Sequence, residues 1–430
     1  MKKLVFNFSR VLCALLLCVG FAFAGCTEGP LEEGENSELT DGTNTSDNGE
    51  ETPDQGDDEN GEDNGSEGND STDGGENGDD TGNGDSASYG NLSSNGTANS
   101  YIVSKAGTYK FKTVKGNSET SVGAASTAAV LWESFGTSTT PNVGDLIKSV
   151  SYKDGYIAFQ TADIFKEGNA VIAAKDADGT ILWSWHIWLT DQPQGQVYYN
   201  NAGTMMDRNL GATSPTPGDV GALGLFYQWG RKDPFLGSSL ISSSTQAKST
   251  ITWPSDVSNG SSRGTVSYVI ANPTTFVTSS SSTEYDWHYY SRDNSLWTTS
   301  DKAKSIYDPC PAGWRVPDGG DNGVWSKALG SSSDFTVSSL YDSTNEGMNF
   351  SGKFGSASTI WYPASGGREG NYNLGAVGFH GFYWSASPVS DYAYHLSFNL
   401  DGYVSPSSDN PRVNGFSVRC LQVIDEVAEL

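Results

Sequence analysis

The sequence predicts a mainly β protein: a β-sandwich, then an irregular, loop-rich α+β domain, both placed after a disordered acidic linker. Three observations predict it. Short apolar–polar alternations of period two recur from residue 101 onward, while helix-period runs are scarce. Beyond residue 194 Gly and Ser rise, and aromatic residues punctuate short segments. Charge is also segregated. Of 52 acidic side chains in the 430-residue chain, 22 lie in residues 27–87, where no basic side chain stands. The formal net charge of -27 therefore mostly describes one segment. Such an acid excess repels a phosphate backbone, so no nucleic-acid partner is expected.

Residues 1–25 carry Lys2, Lys3 and Arg10, then a hydrocarbon run from Val11 to Phe23 that closes on Ala24-Gly25. That run is short for a membrane span and suits a secretory signal peptide. Phe23-Ala24-Gly25-Cys26 resembles a bacterial lipobox, with Phe23 where Leu is usual. The resemblance implies that Cys26 is lipidated and becomes the mature N-terminus. Several acyl chains there would anchor stably in a lipid bilayer, where one chain is marginal. Thr27 is not the aspartate that retains such proteins at the inner membrane. Glu28, Glu32 and Glu33 resemble the surface-export signal of Bacteroidetes lipoproteins, which implies an outer-membrane, surface-exposed location.

Residues 26–90 are then read as a linker. Almost all are Gly, Asn, Asp, Glu, Ser and Thr, too polar to bury the area that ordering requires. The Asp-x-Asp-x-Asp-Gly grammar of a calcium loop is absent there. Asp70-Ser71-Thr72 and Asp85-Ser86-Ala87 resemble O-glycosylation motifs, which would modify Ser71 and Ser86.

From 91 to 193 the pattern is strand after strand. Tyr101-Ile-Val and Tyr109-Lys-Phe alternate, and further strands are read at Ala128–Glu133, Leu146–Tyr152, Tyr156–Gln160 and Ala170–Ala174. Asp154-Gly155 marks a tight hairpin. Seven or eight strands in about 100 residues suggest an immunoglobulin-like sandwich without its disulfide. The run Ile181-Leu-Trp-Ser-Trp-His-Ile-Trp188, as a strand, sets Trp183, Trp185 and Ile187 on one face and Ser184, His186 and Trp188 on the other. Trp183 and Trp185 read as core. Trp188 reads either as cover for the next domain or as part of an aromatic ligand platform. His186 has no companion at metal-ligand spacing, so no metal is expected.

Residues 194–424 form the second block, with 425–430 as a tail. Six motifs stand in order: Met206-Asp-Arg-Asn-Leu-Gly-Ala212, Gly224-Leu-Phe-Tyr-Gln-Trp-Gly-Arg-Lys-Asp-Pro-Phe235, Asp308-Pro-Cys-Pro-Ala-Gly-Trp-Arg-Val-Pro317, Pro363-Ala-Ser-Gly-Gly-Arg368, Tyr383-Trp-Ser-Ala-Ser387 and Asn414-Gly-Phe-Ser-Val-Arg-Cys420. Together they resemble the Fibrobacter succinogenes major paralogous domain of Bacteroidetes surface lipoproteins. The resemblance implies, more distantly, a C-type lectin-like fold shared with sulfatase-modifying proteins. Val324–Leu329 is the one helix read in this block. Cys310 and Cys420 are the only cysteines left once Cys26 is lipidated, and two cysteines in an exported domain most simply form one disulfide. Arg208, Arg231, Arg315, Arg368 and Arg419 sit in apolar or Gly-rich motifs, where a guanidinium can satisfy several carbonyls at once. The rival reading of these arginines is an anion or uronic-acid site.

No Gly-x-Ser-x-Gly elbow, His-Glu-x-x-His or phosphate loop is present, so the chain reads as a non-enzyme. The Glu-Pro-Asn or Gln-Pro-Asp signature of a calcium lectin is absent too; no cofactor is expected, with calcium left open. Aromatics at 12%, with many Asn, Ser and Tyr, suit recognition of a glycan or a cell-surface protein. The candidate ligand residues are Trp188, Tyr383, Trp384 and Arg368. The alternative role is a structural or tip-like subunit of a pilus.

Overall fold

The computed structural model describes residues 89–279, 285–289, 292–298, 303–370 and 373–423. The expected signal peptide, Cys26, the acidic segment with Ser71 and Ser86, and the tail lie outside them. The described chain is mainly β, with two short α-helices.

Eight strands fill the first hundred described residues. One sheet runs β1 (Gly90–Asn91), β3 (Thr108–Lys112), β6 (Tyr156–Thr161), β5 (Ile147–Lys153). The second runs β2 (Ser100–Val103), β8 (Ile181–Leu189), β7 (Gly168–Lys175), β4 (Thr127–Ser134). Asp154 and Gly155 both take positive φ, 50° and 78°, as the two-residue turn joining β5 to β6 requires. Phe111, Ile157 and Phe159 of one sheet meet Ile172, Trp183, Trp185 and Ile187 of the other in a shared apolar layer. Alternation along β8 therefore divides its residues as the period-two pattern predicts. Ser184, His186 and Trp188 face away from this layer.

What lies beyond residue 193 packs against that second face. β9 (Gly195–Tyr198) and β10 (Gly203–Met206) pair, and β10 pairs Leu421–Gln422, which pairs Trp314–Arg315. The main sheet runs β12 (Phe235–Leu236), β11 (Leu225–Gln228), Gly415–Ser417, His380–Val389, Tyr392–Asn399, Tyr403–Pro411 and Phe335–Thr336. Helix α2 (Val324–Leu329) lies where the sequence puts it and stops at Gly330, whose φ of 70° is the left-handed stop glycine supplies at low cost. Helix α1 (Val266–Ala271) was not expected. It is six residues long, and Thr265 caps it by accepting from Tyr268 N at 3.2 Å.

The sandwich keeps its own apolar layer before residue 193, but a second cluster crosses the expected boundary between 193 and 194. Trp132, Val171 and Trp188 share one apolar cluster with Met206, Leu210, Trp229, Trp297, Trp384 and Phe416. Polar bonds cross the same line. Trp188 Nε1 donates to Ala212 O at 3.0 Å, and Asn169 Nδ2 to Gly211 O at 2.9 Å. Buried Lys232 donates to Ser184 O at 3.0 Å and pairs with Asp233 at 2.7 Å. The described residues accordingly belong to one compact unit.

Candidate functional site

The structure removes the expected aromatic platform. Trp188, Tyr383 and Trp384 are each 0% exposed, and Arg368 is 3% exposed. Tyr383 donates to Pro363 O, and Trp384 Nε1 to Tyr227 O at 3.0 Å, so both polar handles are turned inward. These four residues are packing residues; none meets solvent around a groove. The reason is register. Strand His380–Val389 is sandwiched between two apolar layers, with Tyr383 in one and Trp384 in the other.

The arginines are likewise structural, which overturns the uronic-acid reading of them. Arg208 pairs with Asp207 at 2.9 Å and with Asp191. Arg231 donates to Gln228 Oε1 at 2.7 Å and Thr275 O at 2.9 Å. Arg368 holds Leu236 O at 2.9 Å and Gln246 Oε1. Arg315 pairs with Asp318 at 2.8 Å. Arg419 donates to Trp361 O at 2.6 Å and Asn209 Oδ1 at 3.0 Å, and lies 3.7 Å over the Tyr362 ring. Each guanidinium ties loop carbonyls or carboxylates that lack ladder partners.

Cys310 and Cys420 form a disulfide, S–S 2.05 Å, both fully buried. It ties the segment before Trp314 to the strand end beside β10.

Two buried polar networks matter for titration. His186 joins Ser100 Oγ at 3.0 Å and Asn169 Oδ1 at 2.9 Å, a serine–histidine–asparagine line sealed between sheet and core. His395 lies among Phe382, Trp384 and Phe416. Burial pushes both imidazoles down to about 3. Between pH 6.5 and 3 the unfolded chain thus binds protons that the folded chain refuses. Stability from neutral burial is complete above pH 6.5 and falls as pH drops toward 3, by about 1.4 kcal/mol per unit for each histidine. Asp286 and Asp308, whose carboxyls burial pushes up, act in the opposite sense. Urea midpoints are expected to fall from pH 7 to 5, and His186→Asn to flatten that slope by about half. A level profile over this range would contradict neutral burial.

An open cleft of about 380 Å³ lies on the main sheet. Its floor is Phe382 and Phe416, stacked at 4.7 Å between centroids and 19° between planes. Phe382 is half-buried; Phe416 rests in turn on Trp384 at 4.5 Å. The floor depends on Gly367, where a Cβ would stand 2.7 Å from the Phe416 ring. Tyr285 forms a wall, stacked on Tyr392 at 5.0 Å. Ser279, Glu369, Gly370, Pro411 and Val413 complete the rim.

Two amides supply the polar side. Asn414 Nδ2 donates to Asn410 Oδ1 at 3.4 Å, and Asn410 Nδ2 lies 3.3 Å from His395 Nε2. Burial favours the neutral His395 ring, and with its proton on Nδ1 the Nε2 atom can accept from Asn410. An apolar ring face beside orientated amides and a carboxylate can hold a molecule with one apolar face and a hydroxylated edge. The cleft lies at the low end of ordinary ligand-site volumes.

Sequence reasoning chose Tyr383 and Trp384 and missed Phe382, the neighbour on the same strand. Two further cleft residues, Asn414 and Phe416, belong to the motif ending at Cys420, yet nothing local marks them as surface-lining. Among the described residues no cluster of His, Cys, Asp and Glu could hold a metal ion. No family model, curated protein or solved structure matches the chain.

Proposed function

We propose that the chain is a non-catalytic binding protein that holds a glycan in the Phe382 cleft. The carrying observation is the cleft itself: a stacked aromatic floor, two linked asparagines and a rim carboxylate, open to solvent. Aromatic rings pack against the C–H face of a pyranose, while amides and carboxylates match its hydroxyls. A binding role is also favoured by what happens to the reactive-looking groups. The Ser100, His186 and Asn169 line is buried at 1–2% exposure, away from the cleft.

In this reading Cys26 is lipidated and anchors the chain in the outer-membrane bilayer, with the acidic segment 26–90 between anchor and binding unit at the cell surface. The finer fold reading is an immunoglobulin-like sandwich fused to a lectin-like domain resembling the Fibrobacter succinogenes major paralogous domain. The two facing four-stranded sheets and the buried arginines of the shared motifs support it.

The test is a glycan array probed with the full chain and with Phe382→Ala and Asn410→Ala. The wild type is expected to retain at least one glycan, and each variant to lose roughly tenfold in affinity, about 1.4 kcal/mol, while still unfolding in one cooperative thermal transition, at a lower midpoint for Phe382→Ala. Retention unaffected by either substitution would remove the site from this cleft.

A further inference from the structure

We propose that the Phe382 cleft selects uncharged glycans and rejects acidic ones; this rests on the glycan reading above and narrows it. A uronate, sialate or sulfate is normally held by an arginine fork or a lysine ammonium. Among the described residues no Lys or Arg lines this cleft, and the one charged group in that lining is the exposed carboxylate of Glu369.

The two arginines nearest in sequence are both committed elsewhere. Arg368, one residue before Glu369, is buried and donates to Leu236 O at 2.9 Å and to Gln246 Oε1. Arg412, between rim residues Pro411 and Val413, is 0% exposed. Its guanidinium lies 4.4 Å over the Trp229 ring and donates to Tyr392 O at 3.0 Å and Asn294 Oδ1 at 2.7 Å, with Asp286 at 3.5 Å. Turning it outward would strip buried Asp286 and the Tyr392 carbonyl of their partner and remove the guanidinium from the Trp229 ring. His395 supplies no cation either: it is 1% exposed among Phe382, Trp384 and Phe416, where burial favours the neutral ring.

What remains suits a hydroxyl, which both donates and accepts. The relay from Asn414 through Asn410 to His395 brings amide N–H and C=O groups into the same cleft lining as Phe382. An anion placed there would face Glu369 with no countercharge among the described lining residues. A neutral ring meets no such penalty.

The experiment sets neutral hexose and N-acetylhexosamine oligomers against uronate-bearing, sialylated and sulfated ones. The full chain is measured at about 0.15 M salt, where exposed charges act only over roughly 8 Å. Neutral probes are expected to bind at least about tenfold more tightly than acidic ones. Glu369→Lys is expected to bring acidic probes into the bound set. Acidic probes bound as well as neutral ones, with both lost in Phe382→Ala, would overturn the selectivity and leave the glycan reading standing. A chain that retains no glycan of either kind would overturn the glycan reading and this inference with it.

Discussion

Trp188→Ala is expected to destabilise the sandwich and the following sheet together, in one transition, by about 3–5 kcal/mol. Trp188 is fully buried on the outer face of β8, stacked on His186 at 6.3 Å and bonded to Ala212 O. Its cluster contains residues from both sides of position 193. Removing the indole leaves a cavity and an orphaned Ala212 carbonyl, and His186 loses the ring stacked beside it. Urea unfolding followed by tryptophan emission and by far-ultraviolet dichroism should give coincident curves, before and after substitution, with the midpoint lowered. Two separated transitions, or a fragment of residues 89–193 as stable as the whole, would contradict a shared core.

Replacing both Cys310 and Cys420 by alanine is expected to cost about 4–5 kcal/mol, from the loop entropy released to the unfolded chain. The bridge closes a separation of 110 residues. Its ends also hold the β10 edge, where Met206 N donates to Cys420 O at 2.9 Å and Trp314 pairs with Gln422. Chemical denaturation of the double variant beside the oxidised wild type reads the difference directly. Equal midpoints would show that the bridge adds nothing to a fold already closed by its sheets.

Much of the sandwich was legible in the sequence because its determinants are local. Period-two alternation marks β2, β3 and β8, and Asp154-Gly155 can hardly be anything but a tight turn. The faces of β8 followed from counting, and Trp188 went to the second domain, as one of its two readings had it. Both helices are six residues long, too short for a strong periodic signal: α2 was read as the short run that follows Trp314-Arg-Val-Pro317, whereas α1 was missed because its cap, Thr265, stands in a Ser- and Gly-rich stretch.

The site was less legible for a physical reason. Large aromatics draw attention, but in an aromatic-rich β fold they are the residues most worth burying. Tyr383 and Trp384 went inward, one to each apolar layer. The cleft instead uses Phe382 beside them, with Asn410, Asn414 and Phe416 brought in from about 30 residues away by the sheet register. Arg368 misled in the same way. Its charge suggested a ligand, whereas it answers the carbonyl of Leu236.

The most direct measurement is a crystal structure of the full chain with a retained neutral glycan. The account predicts a pyranose ring against Phe382, with hydroxyls within hydrogen-bond reach of Asn410 and Asn414. A glycan seated elsewhere while this cleft stays empty would contradict it.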